Sequence, residues 1–187
     1  MKTSANRFPL VMKSTALVTA AVTAVLATAY QFCPQDFLLS ATISFGTTCY
    51  HFAMRLLVGA IVPRLTKSIR YEHWWFRQQP FESRFYAMIG VKNWKGKLPT
   101  YDPRQFSLKE NTLAQVVCNT CNAELVHEVI IVFSFLPLLF SYFFGAFPVF
   151  LITSVIAALY DSIFVIAQRY NRPRLVRILE KRGARQP

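Results

Sequence analysis

Acidic residues are scarce in this chain. Nine Asp and Glu stand against 21 Lys and Arg, for a formal charge of +12. Cysteine is scarce too. Cys33, Cys49, Cys118 and Cys121 form no disulfide-rich pattern, which excludes a small cross-linked secreted scaffold. There is no internal repeat and no low-complexity stretch. Several catalytic signatures are missing. No G-x-S-x-G nucleophile elbow occurs, which excludes serine-hydrolase chemistry built on that turn. No His is followed five positions later by Asp, so the H-x4-D signature of one class of acyl-transferring enzymes is missing. The run Gly90-Val91-Lys92-Asn93-Trp94-Lys95-Gly96-Lys97 resembles a phosphate loop. Its glycine spacing is wrong, however, and Leu98 stands where Ser or Thr would hold magnesium.

What the chain does have is apolar length. Of its 187 residues, 53% are hydrophobic. They are gathered into long blocks between very basic stretches, the pattern of a membrane protein. Four spans of about 20 residues each fit. We place them at about 14–30, 37–62, 125–144 and 147–167. The expected fold is therefore all-α, a single polytopic membrane domain over residues 1–187. The third span extends a helix that begins near Leu113. Pro63 is expected to close the second, because a proline breaks the helical hydrogen-bond ladder. Ala27-Thr28-Ala29 raises a cleaved signal peptide as an alternative to an uncleaved first helix. The second span follows almost at once, which favours the uncleaved helix. Gly145 and Pro148 mark a short turn between the last two spans, an antiparallel hairpin.

Charge tests this layout. Three cations precede the first span, ten lie between Arg64 and Lys109, and seven lie from Arg169 to Arg185. The remaining one, Arg55, sits inside the second span, and the two short connections hold none. All extramembrane positive charge thus falls on one side, which the positive-inside rule makes cytoplasmic. Both termini and the segment 64–111 are expected there. The basic excess then needs no nucleic acid. Anionic phospholipid headgroups are its expected counterpart. Segment 64–111 mixes aromatics with Arg and Lys, as in Tyr71-Glu72-His73-Trp74-Trp75-Phe76 and Phe81-Glu82-Ser83-Arg84-Phe85-Tyr86. One or two interfacial helices are expected, then a loop at Gly96-Lys97-Leu98-Pro99.

Candidate chemistry gathers at the cytoplasmic mouth of the third span, at Glu124, His127 and Glu128. Glu124 and His127 are three apart and share a helix face. A carboxylate there can orient the imidazole as a general base. The alternative is a polar interfacial cluster that packs against Arg or Lys. His51 and Arg55, four apart, lie deeper. An intramembrane Arg needs a partner, and Asp161 is the candidate. That is either a structural pair or one wall of a polar pocket. Cys118-x-x-Cys121 lacks the strand-to-helix context of a redox motif. With His73 it still lacks an evident fourth zinc ligand, and no metal is expected. After the last span, Gln168-Arg169-Tyr170-Asn171-Arg172-Pro173-Arg174 is a basic cluster. Asn and Pro give it a fixed shape, and arginine forks suit phosphate.

Ala123-Glu124-Leu125-Val126-His127, the Gln168–Leu175 run, Lys181-Arg182-Gly183 and Val91-Lys92-Asn93-Trp94-Lys95 with Lys97-Leu98-Pro99 together resemble the glycosyl-4,4'-diaponeurosporenoate acyltransferase family. The resemblance covers roughly residues 70–185. It implies an acyltransferase of staphyloxanthin-type carotenoid biosynthesis, which places a fatty acyl chain on the sugar of a glycosylated apocarotenoid. The implied acceptor is a glycosylated isoprenoid or membrane lipid, the donor acyl-CoA, with no resident cofactor. The site residues come from the chemistry above, not from the resemblance. His127 is the expected base and Glu124 its orienting group, with Glu128 a further catalytic candidate beside them. His51 and Arg55 stabilise the oxyanion. Arg169, Asn171, Arg172 and Arg174 hold donor phosphates, and Trp74 and Trp75 contact substrate. Two other classes remain open on the residues: an intramembrane hydrolase or peptide-processing enzyme, and a non-enzymatic lipid-binding bundle.

Overall fold

The computed structural model describes residues 7–67 and 69–183; the two termini, with Lys2 and Arg185 of the basic flanks, lie outside the described residues. Helix makes up 81% of the structure, with no strand among the described residues. Four helical stretches are long and apolar enough to cross a membrane: Phe8–Phe32, Asp36–Leu65, Leu113–Phe144 and Phe147–Arg182. Within them lie α1 (Phe8–Phe32), α2 (Asp36–Leu65), α5 (Leu113–Phe133), α6 (Ser141–Phe144) and α7 (Phe147–Gly183). The short helices α3 (Glu82–Met88) and α4 (Val91–Trp94) fall in the middle segment, where interfacial helices are expected.

Local chemistry sets the ends. Pro9 sits in the first turn of α1, where its missing N–H costs nothing. Asp36 opens α2 and Arg64 lies in its last turn, each matching the helix dipole. Two expectations fail at prolines. Pro63 does not close α2, which runs on to Leu65. A proline removes one bond, here to the carbonyl of Gly59, and only two further residues follow. Likewise Asn171 and Pro173 do not shape a separate tail. The helix α7 continues through both to Gly183. Arg169 and Arg172 are anchored by side-chain contacts next to the broken rung, which holds the helix together there.

By its internal contacts the chain divides into two compact units, Met1–Ala60 with Val129–Tyr160, and Ile61–Glu128 with Asp161–Pro187. The first unit is apolar on its surface. Leu17, Val25, Leu57, Val132, Leu139, Phe143 and Ile156 are all exposed, the arrangement a bilayer stabilises. Four of its threonine hydroxyls satisfy themselves within their own helices. Thr19, Thr23, Thr42 and Thr47 each donate to the carbonyl four residues back, all at 2.7 Å. That arrangement removes the cost of a polar group in hydrocarbon. At Gly46 α2 lies against α1, where a Cβ would meet Thr23 Cγ2 at 3.4 Å, an ordinary contact. At the end of α5 the Phe133 carbonyl would receive its helical bond from residue 137, which is a proline. The Tyr50 hydroxyl supplies that bond instead, at 2.8 Å. Gly145, at φ 65° and ψ −137°, opens the turn into α7 in a region that only glycine reaches cheaply.

The second unit is built from short pieces on two helix segments. Thr112 and Gln115 form a reciprocal cap that starts α5: Thr112 N donates to Gln115 Oε1 at 2.7 Å, and Gln115 N to Thr112 Oγ1 at 3.3 Å. Asp102 caps a 3-10 turn at Pro103–Phe106 by accepting from Arg104 N. Asn119 on α5 donates to the Gln105 carbonyl at 2.7 Å and ties that turn to the helix. Gly90, at φ 62° and ψ 37°, separates α3 from α4 in the left-handed region. The loop expected at Gly96–Pro99 is a 3-10 turn at Lys95–Lys97, followed by extended chain at Leu98. Apolar side chains Phe76, Tyr86, Val91, Val116, Val117 and Ala167 are buried. Among them lie Glu82, Thr120, Glu124, Asp161 and Arg172, also buried.

Candidate functional site

The second unit contains two polar constellations, both made by α5 and α7. On α5, Thr120, Glu124 and His127 recur at helical spacing, so they share one face. On α7, Asp161, Phe164, Arg169 and Arg172 do the same. The sequence therefore presents two polar stripes on segments apolar enough to be membrane helices.

The first constellation is an ion cluster around Glu124, whose side chain is fully buried. Arg169 Nη1 donates to Glu124 Oε1 at 2.7 Å, and Arg172 Nη2 donates to Glu124 Oε2. Arg169 Nε also donates to Glu82 Oε1 at 2.6 Å. Two cations thus face two carboxylates, which is the pairing that buried charge requires. Further guanidinium hydrogens go to backbone carbonyls and to one hydroxyl. Arg169 donates to the carbonyls of Trp75 at 3.1 Å and Arg77 at 3.2 Å. Arg172 reaches the Phe76 carbonyl at 3.3 Å, the Thr120 carbonyl at 3.1 Å and Thr120 Oγ1 at 3.1 Å. Its guanidinium also lies over the Phe76 ring, 4.9 Å from the centroid. Three successive carbonyls, 75 to 77, are therefore strapped onto α7. Trp75 adds a bond from its indole N–H to Glu128, at 3.0 and 3.3 Å to the two oxygens.

The second constellation is a dyad. His127 Nδ1 lies 2.8 Å from Asp161 Oδ1. The His127 ring stacks on Phe164 with centroids 4.6 Å apart and planes 11° apart. The Asp161 side chain is 1% exposed and that of His127 is 22% exposed. A buried carboxylate thus holds one nitrogen of a partly open imidazole. Because a carboxylate accepts, Nδ1 carries the hydrogen of this bond, and in the neutral ring Nε2 has the free lone pair. That is the arrangement of an oriented general base.

This corrects the expected pairing. Glu124 does not orient His127, because both its oxygens are taken by Arg169 and Arg172. The carboxylate that meets His127 is Asp161, 34 positions along the chain. Arg169 and Arg172, expected to meet donor phosphates, spend their donors on Glu124, Glu82, Thr120 and the 75–77 carbonyls. Glu128 is held by Trp75, while Trp74 is exposed. His51 and Arg55 belong to the first unit. There Arg55 donates to the carbonyls of His51 at 3.0 Å and Ala157 at 3.3 Å, and lies 5.8 Å from the Tyr160 ring centroid. Cys121 is buried on α5 and Cys118 is half-buried. Among the described residues no group of three or more His, Cys, Asp or Glu gathers as a metal-ligand set.

Arg174 and Asn171 lie elsewhere on α7. Arg174 donates to the Tyr170 hydroxyl at 2.7 Å, with its guanidinium 4.5 Å from the Tyr170 ring centroid. Lys95 donates to Asn171 Oδ1 and sits 4.9 Å from the same centroid. Sequence reasoning missed Glu82, whose aromatic neighbours read as interfacial. It also missed Thr120 and Phe164, which carry no charge to flag them.

A family model described as glycosyl-4,4'-diaponeurosporenoate acyltransferase matches residues 72–181. That stretch holds both constellations. The curated glycosyl-4,4'-diaponeurosporenoate acyltransferase of Staphylococcus aureus (strain bovine RF122 / ET3-1) is 28% identical over 162 residues, covering 76% of this chain and 93% of the relative. No solved structure matches the chain.

Proposed function

Because this chain belongs to the glycosyl-4,4'-diaponeurosporenoate acyltransferase family, we propose that its two stripes serve transfer of a fatty acyl chain to the hydroxyl of an amphipathic acceptor. It is an acyltransferase. The acceptor class is a glycosylated carotenoid or terpenoid, or a glycolipid, with its sugar at the cytoplasmic face of the cell membrane. The donor is an acyl thioester of the acyl-CoA kind. The distribution of positive charge supports that orientation, with both ends of the chain inside.

The observation that carries the reading is the bond between His127 and Asp161. His127 Nε2 takes the proton from the acceptor hydroxyl as its oxygen attacks the thioester carbonyl carbon. The tetrahedral intermediate collapses, the carbon–sulfur bond breaks, and the thiolate leaves with the proton returned from the imidazolium. One ester and one thiol form from one thioester and one alcohol. Asp161 is a positioning residue: it fixes the ring and favours the transient positive charge. Phe164 covers one ring face. The Glu124 cluster acts beside this as a clamp that locks α5, α7 and the 75–77 strap in register.

The test is His127→Ala in membranes or nanodiscs, assayed with an acyl-CoA and a glycosylated acceptor. Transfer should fall by about 10²–10⁴-fold while helical content and insertion stay unchanged. Full transfer by that variant overturns the assignment. Acyl release by the native protein that does not depend on acceptor points instead to a hydrolase.

A further inference from the structure

The cationic end of α7 faces a cleft that the transfer chemistry leaves unused. It has a volume of about 530 Å³. Arg174, Arg177 and Tyr170 line it from α7, and Lys92 and Asn93 from α4. No carboxylate is among the described residues that line it. The contrast with Arg169 and Arg172, five and two positions before Arg174 in the same helix, is chemical. Those two guanidiniums are neutralised by Glu82 and Glu124, whereas Arg174 and Lys95 both lie against the neutral ring of Tyr170. Positive charge is therefore concentrated and left without an internal counter-ion in the lining.

The neighbouring groups agree. Burial, and then the charge of Arg174, lower the Lys95 pKa from its ordinary value, a penalty that an entering anion relieves. Tyr86, also in the lining, has its phenol pushed up to about 12 by burial and by Glu82. It stays a hydrogen-bond donor at any working pH. Asn93 and Ser83 add neutral polar groups, so the lining combines cations with several further hydrogen-bonding groups, the chemistry that phosphate takes.

We propose that this cleft binds the phosphate-bearing end of the acyl donor, a nucleotide carried through a diphosphate, while the donor's thioester extends along α7 to His127. The proposal rests on the acyl-transfer reading. Its geometry comes from the helix itself. Asp161 and Arg174 are 13 residues apart on unbroken α7, about 20 Å at 1.5 Å per residue. That is the order of an extended phosphopantetheine arm, the linker between the nucleotide phosphates and the sulfur of a CoA thioester. A phospholipid headgroup offers the same phosphate chemistry without that arm.

The full-length protein in phosphatidylcholine nanodiscs should bind free CoA in a calorimetric titration, and should bind pantetheine, which lacks the phosphates, far more weakly. Arg174→Ala and Arg177→Ala should each weaken CoA binding about tenfold or more, from the loss of a charge-assisted phosphate contact. Arg174→Lys should retain part of the affinity, which separates lost charge from lost folding. His127→Ala should bind CoA like the native protein. Equal CoA affinity in the native protein and the double Arg174→Ala, Arg177→Ala variant overturns the proposal. So does a double variant that loses association with phosphatidylglycerol nanodiscs while keeping its CoA affinity, because the cleft then reads a lipid headgroup. If His127→Ala keeps full transfer, the catalytic reading fails while the binding result stands by itself.

Discussion

Thr47 and Thr120 are both buried threonines on helices apolar enough to cross a membrane, yet their hydroxyls do different things. Thr47, in the first unit, donates to the Ile43 carbonyl of its own helix at 2.7 Å. Thr120, in the second, donates to the Val117 carbonyl at 2.6 Å and also accepts from Arg172 Nε at 3.1 Å. The same contrast holds more widely. In the first unit the hydroxyls of Thr19, Thr23 and Thr42 fold back onto their own helices. In the second, Glu82, Glu124, Asp161, Arg169 and Arg172 bond across elements. A hydroxyl satisfied within its helix makes a span that lipid can surround. Polar groups satisfied across elements fix those elements to one another, and that is what a site needs. The family match falls at residues 72–181, the part of the chain where such cross-element bonds concentrate.

The strongest way to break this contrast is Glu124→Ala. It leaves two guanidiniums facing Glu82 alone, with Arg172 2% exposed and unable to reach water. Removing one partner of a buried pair costs about 3–5 kcal/mol. Thermal unfolding in detergent should show a large loss of stability and a protein that no longer holds the 75–77 strap, seen as faster protease cleavage near Trp75. A variant as stable as the native protein means that the cluster is not a clamp. Glu124→Gln, which keeps the shape and one acceptor, should lie between the two.

Asp161→Asn probes the dyad and should leave the fold largely intact, since the amide is isosteric. An amide can donate to Nδ1 and so favours the other tautomer, with the hydrogen on Nε2 where the acceptor hydroxyl must bond. Transfer should fall by roughly 10²-fold or more, with donor affinity unchanged. Loss of CoA affinity in step with loss of rate would indicate a structural role for Asp161 instead.

Much of the fold is legible in the sequence because the bilayer imposes a length on apolar runs. The four spans and the turn at Gly145 follow from that length and from the charges at the ends. Prolines are read less well. Pro63 and Pro173 satisfy the local rule for a helix end, but a long helix tolerates one missing bond where neighbouring side chains are anchored, as Arg169 and Arg172 are. The site is half legible. The spacing of Glu124 and His127 puts them on one face without any knowledge of the fold. Which carboxylate meets which base depends on the pairing of α5 with α7, and that is not a local property. Asp161 does carry a signal, as the only acid in the fourth span, at a depth where an ionised group is costly unless used. Glu82 carries none, because Phe81, Phe85 and Tyr86 around it read as an interfacial surface.

The smallest expected effect is also the sharpest version of the comparison, because it uses one substitution twice. Threonine to valine removes a hydroxyl and keeps the shape. At Thr47 the carbonyl of Ile43 still has its backbone donor, so no group is left unpaired, and the change should stay within about 0.5 kcal/mol. At Thr120 the same change removes the acceptor of Arg172 Nε in a place where water does not reach. A buried donor left unsatisfied costs about 1–3 kcal/mol. Paired unfolding curves of Thr47→Val and Thr120→Val should therefore separate by about 0.5 kcal/mol or more, with Thr120→Val the weaker protein. If the two shift alike, hydroxyls that tie elements together stabilise this chain no more than hydroxyls that only serve their own helix, and the physical distinction between span and site is lost.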